Sequence, residues 1–241
     1  MARLANELLD SNLITATDAL KNEKGLISLA ARQYAEIKKD KDAYPAYNID
    51  IIALLGRFNT AESNEMLNRF SALPDMYSKN NAIIALLKNN RPVPASEIKK
   101  FADDKEWRTE FYESLKKIGK AALFPKAYYS QLKFAEGYLY NSLLNDYEVG
   151  IKSMQFVKEK NAEINGRQQR FYIYKVILDY DDEKTPRFAV CGAFDMDKSI
   201  AEIKDEDLDV YLNYDDEYSL SAIDGMFKKY IDEKIKSLKE N

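Results

Sequence analysis

The stretch IIALLGRFNT, Ile51 to Thr60, returns thirty-two residues later as IIALLKNNRP, Ile83 to Pro92. In the first copy Ile51, Ile52, Leu54, Leu55 and Phe58 recur at helical steps, giving one broad apolar face. Ile83, Ile84, Leu86 and Leu87 repeat it. Each copy is followed by a break and a shorter helical segment, TAESNEMLNRFSAL and then PASEIKKFADD, where Pro94 is suited to start a helix. A helix, turn and helix with a period of roughly 32 to 34 residues is the pattern of stacked helical repeats. No such unit covers its own apolar face, so neighbours must supply the cover.

The helical spacing extends on both sides of this pair. Upstream, residues 26 to 39 (LISLAARQYAEIKK) and 2 to 20 read as further helices. Downstream, Asp103 and Glu106 stand three apart as a capping box, ahead of a stripe of Trp107, Phe111, Leu115 and Ile118. Gly119 loosens the end of that helix, and Pro125 is expected to open the next, with Tyr128, Leu132, Ala135 and Leu139 on one face. The total is about eight helices in roughly four antiparallel pairs. This half resembles the HEAT-like class of αα-repeat proteins, through the IIALL helices at Ile51 and Ile83 and the helices that follow them. The resemblance covers some 120 residues and implies a curved α-solenoid of the kind used to bind other proteins.

Near Tyr147 the period changes. In IKSMQFVKEKNAEINGRQQRFYIYKVILDY the pair Asn165-Gly166 lies between two strand-like runs, a hairpin signal because both residues tolerate positive φ. RFAVCGAF and DLDVYLNY supply two more strands. In the closing SLSAIDGMFKKYIDEKIKSLKEN, Ser219 or Ser221 can cap a helix whose stripe is Ile223, Phe227, Tyr230, Ile231 and Ile235. The expected class is therefore α+β: helical repeats over 1–146, then a small domain over 147–241 with about four antiparallel strands and a C-terminal helix. That domain could cap the array. ARLANELL, Ala2 to Leu9, lacks an obvious polar cap, so the chain is expected either to continue a longer repeat protein or to meet a partner at that face.

Charge narrows the function. With 36 basic and 40 acidic residues the net charge is −4, which gives no general attraction to nucleic acid or an anionic membrane. Residues 151 to 241 carry 15 basic and 20 acidic side chains, with 14 carboxylates against 4 cations between Asp179 and Glu217. There is no histidine and one cysteine, Cys191, so the chain builds neither an internal disulfide nor a Cys/His zinc site. No run of about 18 apolar residues is present, and MARLANELLDSN lacks the order of a signal peptide. A complete chain is expected in the cytoplasm; a fragment of a longer exported protein carries no such expectation.

The acidic segment offers candidates for cation binding. YDDE occurs at Tyr180–Glu183 and at Tyr214–Glu217, read either as a shared carboxylate cluster or as solvated acidic turns after strands, and the turns are favoured. Asp195, Asp197, Ser199 and Glu206 hold positions 1, 3, 5 and 12 of an EF-hand-like spacing, but Ile200 occupies the place that needs glycine. The aromatics between Phe101 and Tyr147, interleaved with Lys116, Lys117, Lys120, Lys126 and Lys133, could stack bases, yet Trp107, Phe111 and Tyr128 at helical spacing read better as core. Cys191, in an apolar strand, reads as a buried small hydrophobe.

No G-x-G appears, no phosphate loop precedes a Lys-Ser/Thr, and histidine-dependent nucleophiles are impossible. No catalytic, cofactor-binding or metal-binding residue is assigned. The expectation is a non-enzymatic interaction scaffold whose partner is another protein or peptide, rather than nucleic acid or a membrane. Its alternative is a cation-dependent enzyme or calcium-binding module working through residues 179–217.

Overall fold

A computed structural model describes residues 21, 23–39, 46–145, 148–179, 186–204, 208–213, 219 and 221–240. Helices come first: α1 (Glu23–Lys39), α2 (Ala46–Phe58), α3 (Ala61–Ser71), α4 (Met76–Lys88), α5 (Ala95–Asp103), α6 (Arg108–Lys117) and α7 (Gln131–Asn145). Four strands follow, β1 (Ile151–Ile164), β2 (Arg167–Leu178), β3 (Arg187–Asp195) and β4 (Asp209–Asn213), and α8 (Ile223–Glu240) closes the chain. The class is α+β, as expected, with the helix-to-strand change between Asn145 and Ile151. Compactness divides the chain differently: one unit holds the residues up to Ile98 with Glu113–Leu123, the other Lys99–Tyr112 with Phe124 onward.

In the first unit the duplicated stretches form α2 and α4. Ile51, Ile52, Leu55, Leu86 and Ala85 join Met66, Leu67 and Phe70 of α3 in one buried cluster, with Ala30 and Ile37 of α1. Gly56 lies so close to α4 that a Cβ placed there would stand 2.8 Å from that of Ala85, so glycine is what lets the two helices meet. Caps set the ends. The Thr60 side chain accepts the Ser63 amide while Ser63 returns a bond to the Thr60 amide, and Asp75 accepts the amides of Tyr77 and Ser78. Helix α4 stops where Asn90 takes φ 56°, with its amide on Leu87 O and the Arg91 amide on Leu86 O, the two bonds of a Schellman ending.

Two expected helix starts move. Asp103 closes α5 rather than capping α6; Asp104 instead accepts the Glu106 amide at 2.9 Å, and α6 begins at Arg108. Pro125 opens only a 3-10 turn, Lys126–Tyr128, before α7 starts at Gln131. At the first the Asp104 carboxylate takes an amide of the turn, and at the second the turn closes on its own backbone, with the Tyr128 amide on Pro125 O. The expected helix over 2–20 lies outside the described residues.

In the second unit the strands run as an antiparallel meander, β1-β2-β3-β4. Asn165 and Gly166 both take positive φ, 52° and 73°, and pair Ile164 with Arg167 across a tight hairpin. Both sheet faces are covered. On one, Phe171, Ile173, Phe188 and Val190 pack under Ile223, Phe227, Tyr230 and Ile231 of α8. On the other, Tyr172, Tyr174, Val176, Ala189 and Cys191 are buried, and the Tyr174 hydroxyl donates to Leu132 O of α7. This is why the residues of β2 show little polar alternation.

Candidate functional site

Within the second unit, an open cavity of about 560 Å³ lies where the approach to α7 meets the sheet and the loop after β3. Tyr129, Ser130, Gln131 and Leu132 form one wall, Glu159, Arg170 and Tyr172 a second, and Met196, Lys198, Ser199 and Ile200 the third. The strand pairing explains the sheet wall. A bulge between Phe156 and Lys158 sets Glu159 opposite Tyr172 and Asn161 opposite Arg170, so consecutive sheet positions present a carboxylate, a phenol and a guanidinium at the groove.

Its rim is apolar. Met196 (38% exposed) and Tyr129 (42%) line it, and Phe156 (40%) stands beside it, its ring 6.3 Å from that of Tyr172. Of the large hydrophobic side chains exposed among the described residues only Tyr77 and Leu123 lie elsewhere. Exposed apolar groups gathered around a concavity are the usual mark of a recognition site.

The polar groups are held in defined states. Gln131 donates its side-chain amide to the carbonyls of Asp195 (3.0 Å) and Lys198 (3.1 Å), tying the loop after β3 to the start of α7. These two acceptors fix which end of the amide is nitrogen, and Oε1 is left buried with no hydrogen bond. Arg170 Nε is also buried without one; Glu159 Oε2 stands 3.9 Å away, close enough for an ion pair and too far for a hydrogen bond. Burial holds the Tyr172 hydroxyl above the ordinary tyrosine range, against the opposing pull of Arg170, so it is a neutral donor at physiological pH.

The residues singled out from sequence fall elsewhere or form turns. Both YDDE segments and Glu206 lie outside the described residues. Asp195 Oδ1 accepts the Asp197 amide, and Ser199 and Glu202 cap each other around a 3-10 turn, so these side chains serve the loop that carries Met196 and Lys198. Among the described residues no group of three or more Cys, Asp or Glu side chains is placed to hold a metal ion. Cys191 is fully buried, and burial pushes its thiol far above the usual range. Trp107 and Phe111 are buried against Phe101, the latter stacked at 4.5 Å, while Lys116 and Lys133 face Glu113 and Glu136. Among the described residues no helix is long and apolar enough to cross a membrane.

Sequence reading did not single out Tyr129, Gln131, Arg170 or Met196. They come from three separate segments and share no motif; the available signal was the Phe156–Lys158 register of a long, unevenly patterned strand. Compared with family models, curated proteins and solved structures, the chain matches none of them.

Proposed function

We propose that the chain is a non-enzymatic recognition module that holds a segment of another protein in the groove of its second unit. The observation that carries this is the coincidence of an open cavity of about 560 Å³ with the exposed Tyr129, Met196 and Phe156. Apolar side chains kept in water around a concavity favour an occupant that covers them. In the first unit, the packing of the two duplicated helices against each other and against α3 supports the reading of HEAT-like helical pairs.

The test is to pan a random peptide display library on the immobilised full chain. Selected peptides are expected to lose binding to Met196→Arg and Tyr129→Ala; Met196→Arg should keep the parent melting temperature because its site is exposed, whereas Tyr129→Ala also gives up a ring contact with Tyr112 at 5.8 Å. Binding that survives both changes would place the recognition surface elsewhere.

A further inference from the structure

We infer that the outer edge of β1 takes a fifth antiparallel strand, an extended segment of another protein with basic side chains on alternate residues. The inference uses a surface outside the groove and stands apart from the groove reading.

Strands β1 and β4 are the two outer strands of the sheet, and they present different edges. Strand β4 has five residues; its Leu212 and Asn213 are buried, and Tyr230 and Lys234 of α8 hold its Asp209. Strand β1 has fourteen, and Glu159, Asn161 and Glu163 in its second half are exposed. From Lys158 to Ile164 its register with β2 runs without a shift, down to the two-residue turn. The pair that flanks such a turn exchanges both main-chain bonds, and bonded and non-bonded pairs then alternate along the ladder. Lys158, Lys160, Ala162 and Ile164 therefore direct their N–H and C=O groups to β2, while those of Glu159, Asn161 and Glu163 point outward. Among the described residues no backbone bond reaches these three from outside the hairpin. Outward N–H and C=O groups at every second residue are the template that an added strand completes. Charge then selects the strand. Lys158 and Lys160 reach Asp224 of α8 at 2.6 and 2.9 Å, so Glu159, Asn161 and Glu163 share the opposite face. That row carries two carboxylates; Arg170 of β2 stands 3.9 Å from Glu159, whose side chain is still 54% exposed. A second copy of β1 added antiparallel about a two-fold axis sets carboxylate row against carboxylate row and lysine row against lysine row, which is unfavourable. A strand with Lys or Arg on alternate residues instead places a cation opposite each carboxylate. Beyond the bulge the exposed Phe156 suits an apolar residue farther along the same strand.

The experiment uses the intact chain and three peptides of equal length: lysine alternating with threonine, the same residues in two blocks, and glutamate alternating with threonine. The alternating lysine peptide is expected to bind best and to slow hydrogen exchange at the amides of Glu159, Asn161 and Glu163. Glu163→Lys, which lies outside the groove lining, should weaken it by roughly 2- to 30-fold, the range for turning a favourable cross-strand pair into a like-charged one. Asn161→Pro removes an outward N–H without touching the ladder to β2 and should abolish binding. If Asn161→Pro does not fold, N-methylation of the peptide main chain at its lysines removes the same bonds from the other side. Equal binding of the alternating and block peptides, binding that leaves the three amides unprotected, or silence of all three peptides would overturn the inference. So would a parent chain that is dimeric by light scattering with those amides already protected, since a second copy would then hold the edge. Binding lost in Met196→Arg but kept in Asn161→Pro would place the peptide in the groove, overturning the edge and leaving the groove reading in place.

Discussion

Arg108 shows how much one buried cation can organise. It is 2% exposed, and its guanidinium donates to the carbonyls of Ala102 (2.7 Å), Asp103 (3.3 Å) and Lys133 (3.0 Å) and to the carboxylate of Glu136 (2.9 Å). Two of those carbonyls are orphans at the end of α5, so a single side chain closes one helix and ties it to α7. Arg108→Met removes the cation from a buried pair, and urea unfolding is expected to show a loss of about 3 kcal/mol, the lower end for such breaks because Lys105 and Lys133 still face Glu136. A loss within error of zero would mean that those lysines suffice. Burial alone would raise the Glu136 carboxyl, but hydrogen bonds from Lys133 and Arg108 and the charge of Lys105 hold it below its ordinary range. Its contribution is therefore complete above the unfolded value of roughly 4.3 and is lost as pH falls through the lower folded value. Stability measured for Glu136→Gln should lie well below the parent at pH 7, and the gap should close in acid. Asp224, held by Lys158 and Lys160 at about 2, offers a direct reading. Its NMR titration midpoint is expected to rise toward that of a free aspartate when both lysines become alanine.

At the scale of elements, the contact between α2 and α4 depends on what is missing at Gly56. Gly56→Ala adds a methyl group 2.8 Å from Ala85 Cβ, and overpacking of this kind costs about 1–3 kcal/mol. Adding Ala85→Gly moves the methyl to the other side of the same gap. The double variant should therefore melt above Gly56→Ala; if it melts lower, the two helices do not meet as described. Helix α8 depends on aromatic packing instead. Phe227 meets Phe171 at 5.4 Å and Tyr230 at 6.4 Å, so Phe227→Ala should remove about 3–5 kcal/mol. Most elements could be read from local chemistry. Asn165-Gly166 announced its hairpin, the IIALL stretches their helices, and the Ser219 and Ser221 pair the start of α8, where it is the Ser219 hydroxyl that takes the Ala222 amide. Asp103 misled because it ends α5 instead of capping α6, and Pro125 because the turn it opens is a 3-10 turn that stops before α7 begins. Adjacent carboxylates at 103 and 104 differ only in where tertiary contacts place them.

For the molecule as a whole, fold and site were unequally legible. Apolar period reports which residues are buried, and burial is decided within each element, so the change from helices to sheet near residue 147 was visible in the chain. The groove is set by distances across the fold. Gln131 meets the carbonyls of Asp195 and Lys198, more than sixty positions away, and Arg170 reaches Glu159 only through strand register. Neither pairing leaves a local pattern. Recognition through this groove is the claim on which the functional account stands. The measurement that tests it most directly is a methyl spectrum of the full chain labelled at its six methionines, titrated with the tightest library-selected peptide. Met196 at the rim is expected to shift while Met66, buried in the core of the first unit, stays still. A spectrum in which Met66 moves and Met196 does not would contradict the account and move recognition to the helical first unit.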